Sequence, residues 1–297
     1  MKSGKFSKKI FRYKIAQSIL GECFVADFNL LEASKEHWKP PIYRNNTQNL
    51  WNRTKVGCYS FFDFQYSTIH RDLSKYLPDV TGNVLDVGCG LQPYRHLFPT
   101  SAKYTGIDIS ESKNRFGYQT SDTIYYSGKT WPVKNKSMDF ILCTETLEHV
   151  ASPDIFLKEA FRALKPGGRI LLTVPFAARW HFIPHDYWRY TPSALDLLLT
   201  QAGFIHNRVY ARGNQLTVVC YKIISFIFSL LTPQKSNFAF ENTCRLLGIL
   251  LLPFFVTFAI IGNLTKAKSG IVDCLGFTVL AEKPKVQSNK RPVRAKN

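Results

Sequence analysis

The chain has 297 residues, 45% of them hydrophobic, which suits one sizeable folded domain with additions and excludes a chain too polar to bury a core. The net charge of +18 sits mostly at the ends: Lys+Arg outnumber Asp+Glu by 11 to 4 in residues 1–59, 17 to 14 in 60–212 and 11 to 3 in 213–297. Seven scattered cysteines without a C-x-x-C pair or a Cys/His metal spacing exclude a disulfide-stapled secreted module, so reduced thiols in a cytoplasmic setting and no metal are expected.

In chain order, residues 8–20 read as a basic amphipathic helix whose apolar part is too short and too polar for a secretion signal, so no cleavage or export is expected. Residues 39–47, with Pro40 and Pro41, read as loop. Residues 61–77 carry Phe62, Tyr66, Ile69 and Leu73 at helical spacing. Strands and helices then alternate, as in an α/β doubly wound sheet. Strands are expected at 83–88, 103–108, 122–126, 138–144, 169–174 and 204–211, with a last one at 276–283. Ser152-Pro153 and Thr191-Pro192 supply an N-cap and a first helical residue, and Pro166-Gly167-Gly168 and Gly203 supply the stops.

Between the last two strands the chain turns apolar. Residues 215–231 hold one charge, Lys222, and residues 246–265 hold none but are interrupted by Pro253. A single bilayer crossing would strand the final strand on the wrong side. The segment is therefore expected as a monotopic hairpin at a membrane surface, or else as a helical pair packed on the domain or against a second copy. The lysine- and arginine-rich residues 284–297 read as a disordered tail.

Residues 83–90 (Asn-Val-Leu-Asp-Val-Gly-Cys-Gly) are a short apolar run with one acid, ending in two glycines that permit a tight turn. Pro93 stands where a third glycine of a dinucleotide motif would fall. Asp108, at the end of the next strand, is placed to accept hydrogen bonds from ribose hydroxyls. Together with residues 138–150 (ending Thr-Glu-Thr-Leu-Glu-His-Val) and 164–175 (Leu-Lys-Pro-Gly-Gly-Arg-Ile-Leu-Leu-Thr-Val-Pro), these motifs resemble the class I S-adenosylmethionine-dependent methyltransferases, in the group that includes the quinone-biosynthesis enzymes. The resemblance implies an α/β fold with a Rossmann-like seven-stranded sheet; combined with the segments read above, the chain divides into a helical N-terminal extension (1–77), a cofactor domain (78–213 plus 272–283) and an apolar helical insertion (214–271) before the last strand. The resemblance also implies S-adenosyl-L-methionine as cofactor, with Asp86, Gly88 and Gly90 along its methionine part, Asp108 at the ribose, Ile109 at the adenine, and Thr144 and Glu145 nearby. Many relatives have Gly-Asp after strand three where this chain has Gly128-Lys129, so the adenine contact must come from backbone or from a neighbour such as Trp131.

Two clusters are candidates for acid–base and acceptor contacts: Glu145, Glu148 and His149, and the aromatic loop 181–190 with His181, His185, Asp186, Tyr187 and Arg189. A histidine among His149, His181 and His185 is suited to take a proton from the acceptor, with Asp186 assisting. Glu148, Tyr187 and Arg189 are candidate acceptor contacts, although Asp186 and Arg189 could equally pair and brace the loop. The expected function is methylation of a small-molecule, lipid or lipid-linked acceptor at the cytoplasmic face of a membrane, contacted through 214–271 and the basic ends. An RNA methyltransferase is the alternative, weakened by the lack of a basic stripe on the core; a membrane-bound binding protein that has lost the chemistry is the other.

Overall fold

The computed structural model describes residues 50–117, 119–128, 130–233, 237–270 and 272–285. The expected helix at 8–20, the loop at 39–47, Lys129 and the tail from 286 onward lie outside the described residues.

Two helices open the described chain, α1 (Leu50–Phe62) and α2 (Phe64–Tyr76). The single expected helix is thus divided at Asp63, whose extended backbone and side chain cap α2 by accepting from Tyr66 N–H at 2.9 Å. The core continues as β1 (Asn83–Val87), β2 (Lys103–Ile109), α3 (Ser110–Phe116), β3 (Thr123–Tyr126), β4 (Met138–Thr144), α4 (Pro153–Ala163), β5 (Leu164–Pro175), α5 (Pro192–Ala202) and β6 (Ile205–Arg212). Three apolar helices follow, α6 (Gln215–Leu231), α7 (Phe238–Leu250) and α8 (Leu252–Thr265), before β7 (Gly276–Glu282).

The seven strands form one sheet in the order β3-β2-β1-β4-β5-β7-β6. The first five are parallel to their neighbours, and β7 is antiparallel to both β5 and β6. Strand order reverses between β1 and β4, so a crevice opens at the carboxyl ends of these two strands, where ligands of such sheets bind. Thr191 caps α5 as expected, accepting from Ala194 N–H, whereas Ser152 precedes α4 without a side-chain cap bond. Helix α4 stops at Ala163, three residues short of Pro166: Pro166 has no N–H to return to Arg162 O, and the Arg162 and Ala163 carbonyls accept instead from Lys136 and Ser137 N–H; β5 begins at Leu164 and runs through the Pro-Gly-Gly.

The sheet is buried on both faces, which is why its strands read as near-continuous apolar runs. Alternation along β1 sends Leu85 and Val87 to the side covered by Phe156, Leu157 and Ala160 of α4 and Leu195 and Leu199 of α5. Val84 goes to the other side, under Tyr66, Ile69 and Leu73 of α2. The insertion docks through a third cluster in which Val218, Cys220 and Ile224 of α6 and Ala259 of α8 surround Phe64. Gly262 lets α8 approach this closely: a Cβ there would lie 2.1 Å from the Phe64 ring.

None of the described helices is long and apolar enough to cross a membrane alone. Helices α7 and α8 meet that test only as a pair, bent by 54° at the break before Pro253. The expected two-helix hairpin is therefore three helices, much of whose apolar surface stays uncovered, with Phe226, Phe228, Phe238, Phe240, Leu246 and Phe254 all more than half exposed.

Candidate active site

A cavity of about 840 Å³ opens at the carboxyl ends of β1, β2 and β4. Its floor is the turn after β1, where Gly88 and Gly90 take left-handed backbone (φ 69° and 50°). A Cβ on Gly88 would fall 2.4 Å from Thr146 Oγ1, so only glycine fits. Asp108 at the end of β2 braces the turn: Gly90 N–H donates to its Oδ2 at 3.0 Å and Ile109 N–H to its Oδ1 at 2.7 Å. Burial raises the Asp108 carboxyl above its ordinary range, although these N–H donors oppose the shift. Asp86 is buried within β1 and accepts from Tyr104 Oη through Oδ2, while Oδ1 has no hydrogen-bond partner. Burial pushes its carboxyl up to about 7.

The opposite wall is built from two segments distant in sequence. Glu145, just past β4, holds a left-handed backbone (φ 46°) that a non-glycine residue adopts rarely and usually at functional sites. Its carboxylate accepts from Arg212 Nη2 at 2.9 Å. The Arg212 side chain is wholly buried, and its guanidinium also donates to Val174 O (3.1 Å), Gln65 O (3.3 Å) and Thr68 Oγ1 (3.4 Å). One group on β6 thereby ties the ends of β4 and β5 to α2.

The second segment is the loop after β5. Tyr187 and Trp188 N–H both donate to Glu148 O, Trp188 Nε1 donates to Val150 O, and Tyr190 Oη donates to Leu147 O. The two clusters named from the sequence are therefore fastened to each other. Within the loop, Asp186 accepts from both Arg189 terminal nitrogens (2.6 and 2.7 Å) and from His181 N–H (3.0 Å). Burial alone would raise the Asp186 carboxyl, but Arg189 and His181 outweigh it and hold it well below the usual range.

The cavity brings together Gly88, Gly90, Asp108, Ile109, Thr144, Glu145, His149, His181, His185 and Tyr187 from the expected set. Asp86, Glu148, Asp186 and Arg189 do not line it and stand one layer behind. Asp186 and Arg189 brace the loop through each other, and Glu148 is fully buried. Trp131 does not reach the cavity either: it is buried against Phe156, 5.0 Å between ring centroids, so Tyr126 and Gly128 are the neighbours of Ile109 on that wall. Arg212 reads in the sequence as one more basic residue on a strand, and no motif marks Tyr66, Tyr94, Phe182 and Tyr221 as the aromatic lining of the cavity.

Burial, followed by the neighbouring His181, lowers His149 to about 4. Its Nδ1–H donates to His185 O at 2.9 Å, so the ring is neutral near pH 7 with its lone pair on Nε2. His185 Nδ1 lies 3.1 Å from Tyr187 Oη.

This sheet order, the glycine turn after β1 and the acid ending β2 define a class I S-adenosylmethionine-dependent methyltransferase. Residues 62–219, just over half of the chain, match the family model of the methyltransferase domain, and the chain belongs to that family. Among curated relatives, a demethylmenaquinone methyltransferase of Tropheryma whipplei is 38% identical over 95 residues, covering 30% of this chain and 40% of that protein. A ubiquinone biosynthesis O-methyltransferase of Coxiella burnetii is 35% identical over 100 residues, covering 31% and 42%. The chain thus spans less than half the length of these two relatives. A methyltransferase structure from Thermotoga maritima aligns with a TM-score of 0.48 at 16% identity, covering 78% of this chain and 95% of that one.

The residues present fit the family's cofactor: a side chain at Gly88 would strike Thr146, so backbone is left open to close approach there, and Asp108 presents a carboxyl group at the end of β2. Asp86 keeps one buried acceptor atom unpartnered behind the turn.

Proposed function

We propose that this chain transfers a methyl group from S-adenosylmethionine to a small, largely apolar acceptor presented at a membrane surface, on the cytoplasmic side. The cofactor, when bound, supplies an activated methyl group, so the protein's work is to bind, orient and exclude water. Gly88, Gly90, Asp108 and Ile109 would hold the cofactor on the floor, with Asp86 behind the turn and Thr144 and Glu145 beside it. The acceptor would enter between the aromatic loop and α6. His185, hydrogen-bonded to Tyr187 and lining the cavity with it, would take the acceptor's proton.

The observation that carries the lipid-side reading is the position of Tyr221. This residue of α6 lines the cavity, while Val219, Phe226 and Phe228 of the same helix are exposed apolar side chains. The same helix therefore belongs to the acceptor wall and to a surface of the kind that meets apolar partners. Charge supports the same reading, since α8 has no ionised side chain and the exposed Lys268 follows it, a pairing suited to an anionic interface. Relatives named for demethylmenaquinone and ubiquinone chemistry agree with an apolar acceptor.

The test is transfer of label from radiolabelled S-adenosylmethionine into a membrane extract, followed by organic extraction. Label in the organic phase that disappears with Asp108→Ala supports the proposal. Label confined to the aqueous phase would refute the apolar acceptor while leaving methyl transfer standing.

A further inference from the structure

Behind the acceptor wall, where the turn after β4 meets the loop after β5, three side chains of metal-ligand type converge. Glu148, His149 and His181 each offer one donor atom, and these atoms lie within 4.8 Å of one another. Glu148 is fully buried, and neither of its carboxylate oxygens has a hydrogen-bond partner. A bare carboxylate in such a place is costly unless a cation or a proton joins it. The nearest ring nitrogen, His149 Nε2, is 3.6 Å from Oε1, too far for a hydrogen bond. It is close to the spacing of two ligands on one ion, since donors about 2.1 Å from a tetrahedral zinc lie roughly 3.4 Å apart.

The imidazoles are already set for such a role. His149 donates its Nδ1–H to His185 O, which leaves Nε2 to face Glu148. His181 has its Nδ1 at 3.0 Å from Arg179 O and 3.2 Å from Asp186 Oδ2. For His149 the carbonyl on the far nitrogen fixes the tautomer and strengthens the near nitrogen as a ligand, the usual backing of metal-binding histidines. The two rings meet edge to face at 5.0 Å, so they are not stacked against each other. Both line the cavity while Glu148 lies behind them, so the cluster has one open side and it faces the acceptor space.

We propose that Glu148, His149 and His181 form a three-ligand site for a divalent transition-metal ion of the zinc class, with its remaining position open to the acceptor end of the cavity. Two imidazoles and one carboxylate favour such an ion over magnesium or calcium, which take oxygen ligands. No metal is expected from the sequence because the two histidines come from different loops and share no motif spacing. An ion in this position would bind an acceptor hydroxyl or thiol and lower its pKa, and the released proton would pass to His185.

The full-length protein, stripped with a chelator and dialysed, is titrated with Co(II) and then with Zn(II). One equivalent of Co(II) should give the visible absorption of a four-coordinate ion, and Zn(II) should displace it. Glu148→Gln and His181→Ala should each weaken binding at least about tenfold, while His185→Ala, outside the cluster, should bind normally. Circular dichroism and S-adenosylhomocysteine binding on the same samples report separately on the fold and on the cofactor half of the cavity. Absence of Co(II) absorption in a folded wild type that still binds S-adenosylhomocysteine would overturn the metal site and leave Glu148 holding a proton. Absorption unchanged in both cluster variants would overturn it equally.

Discussion

Replacing Arg212 with Met should uncouple the acceptor wall from the sheet. The substitution roughly preserves apolar volume and removes a guanidinium that is wholly buried and bonded to Glu145, Val174 O, Gln65 O and Thr68. Removing one partner of a buried pair costs about 3–5 kcal/mol because the other charge is left uncompensated. The Glu145 side chain keeps 28% of its exposure, so solvent recovers part of that and the expected loss is about 3 kcal/mol. In a protein of this size that lowers the melting temperature by roughly 6–12 °C. Urea unfolding of wild type, Arg212→Met, Glu145→Gln and the double variant measures it. The double variant should lose about 1–2 kcal/mol less than the sum of the singles, since the pair acts as a unit. A loss under about 1 kcal/mol, or strict additivity of the singles, would refute the view that Arg212 holds Glu145 in its left-handed backbone.

Three further outcomes follow. Gly88→Ala forces a side chain into left-handed backbone (φ 69°) and against Thr146, costing about 2–4 kcal/mol, and should weaken S-adenosylhomocysteine binding by at least about tenfold; adding Thr146→Ala should recover part of the stability, as read by thermal melting. The Asp86 carboxyl, raised to about 7 in the fold from an ordinary 3.8, binds its proton more tightly when folded. Its contribution is therefore fully present below about pH 4 and lost as pH rises through about 7, on the order of 4 kcal/mol in all. Asp86→Asn should be more stable than wild type by a margin that grows across that window; a margin independent of pH would contradict the assignment. Vesicles containing anionic lipid should float with the protein, and Phe226→Glu with Phe254→Glu should abolish this without lowering the melting temperature, because both side chains are more than half exposed.

The fold was legible because local signals agreed with one another. The glycine turn at 88–90, the proline-led helix starts at 153 and 192, and the doubly apolar strands each point to the same sheet. Element ends moved where a single residue overrode the pattern: Asp63 divides the leading helix, and Pro166 ends α4 early. The candidate cofactor residues at the glycine turn and Asp108 were brought to one cavity for the same reason, as they follow consecutive strands. The acceptor side was not. Arg212 acquires its role only when β6 is placed beside β7 and α2 closes over it, and nothing in its neighbours in sequence marks it as buried. Glu148 and Arg189 are of the right chemical type for acceptor contacts, but backbone geometry turns them into the layer behind the wall. The bend between α7 and α8 is announced by Pro253, yet the identity of the uncovered face depends on which side packs on Phe64.

The turn after β1 and Asp108 should together bind S-adenosylmethionine. Isothermal titration with S-adenosylhomocysteine tests it most directly. Wild type should bind one equivalent, and Asp108→Ala, which removes charge-assisted hydrogen bonds of about 1.5–3 kcal/mol, should bind roughly 10–100-fold more weakly while still showing a cooperative melt. No binding by folded wild type, or equal affinity in the two proteins, would contradict the account.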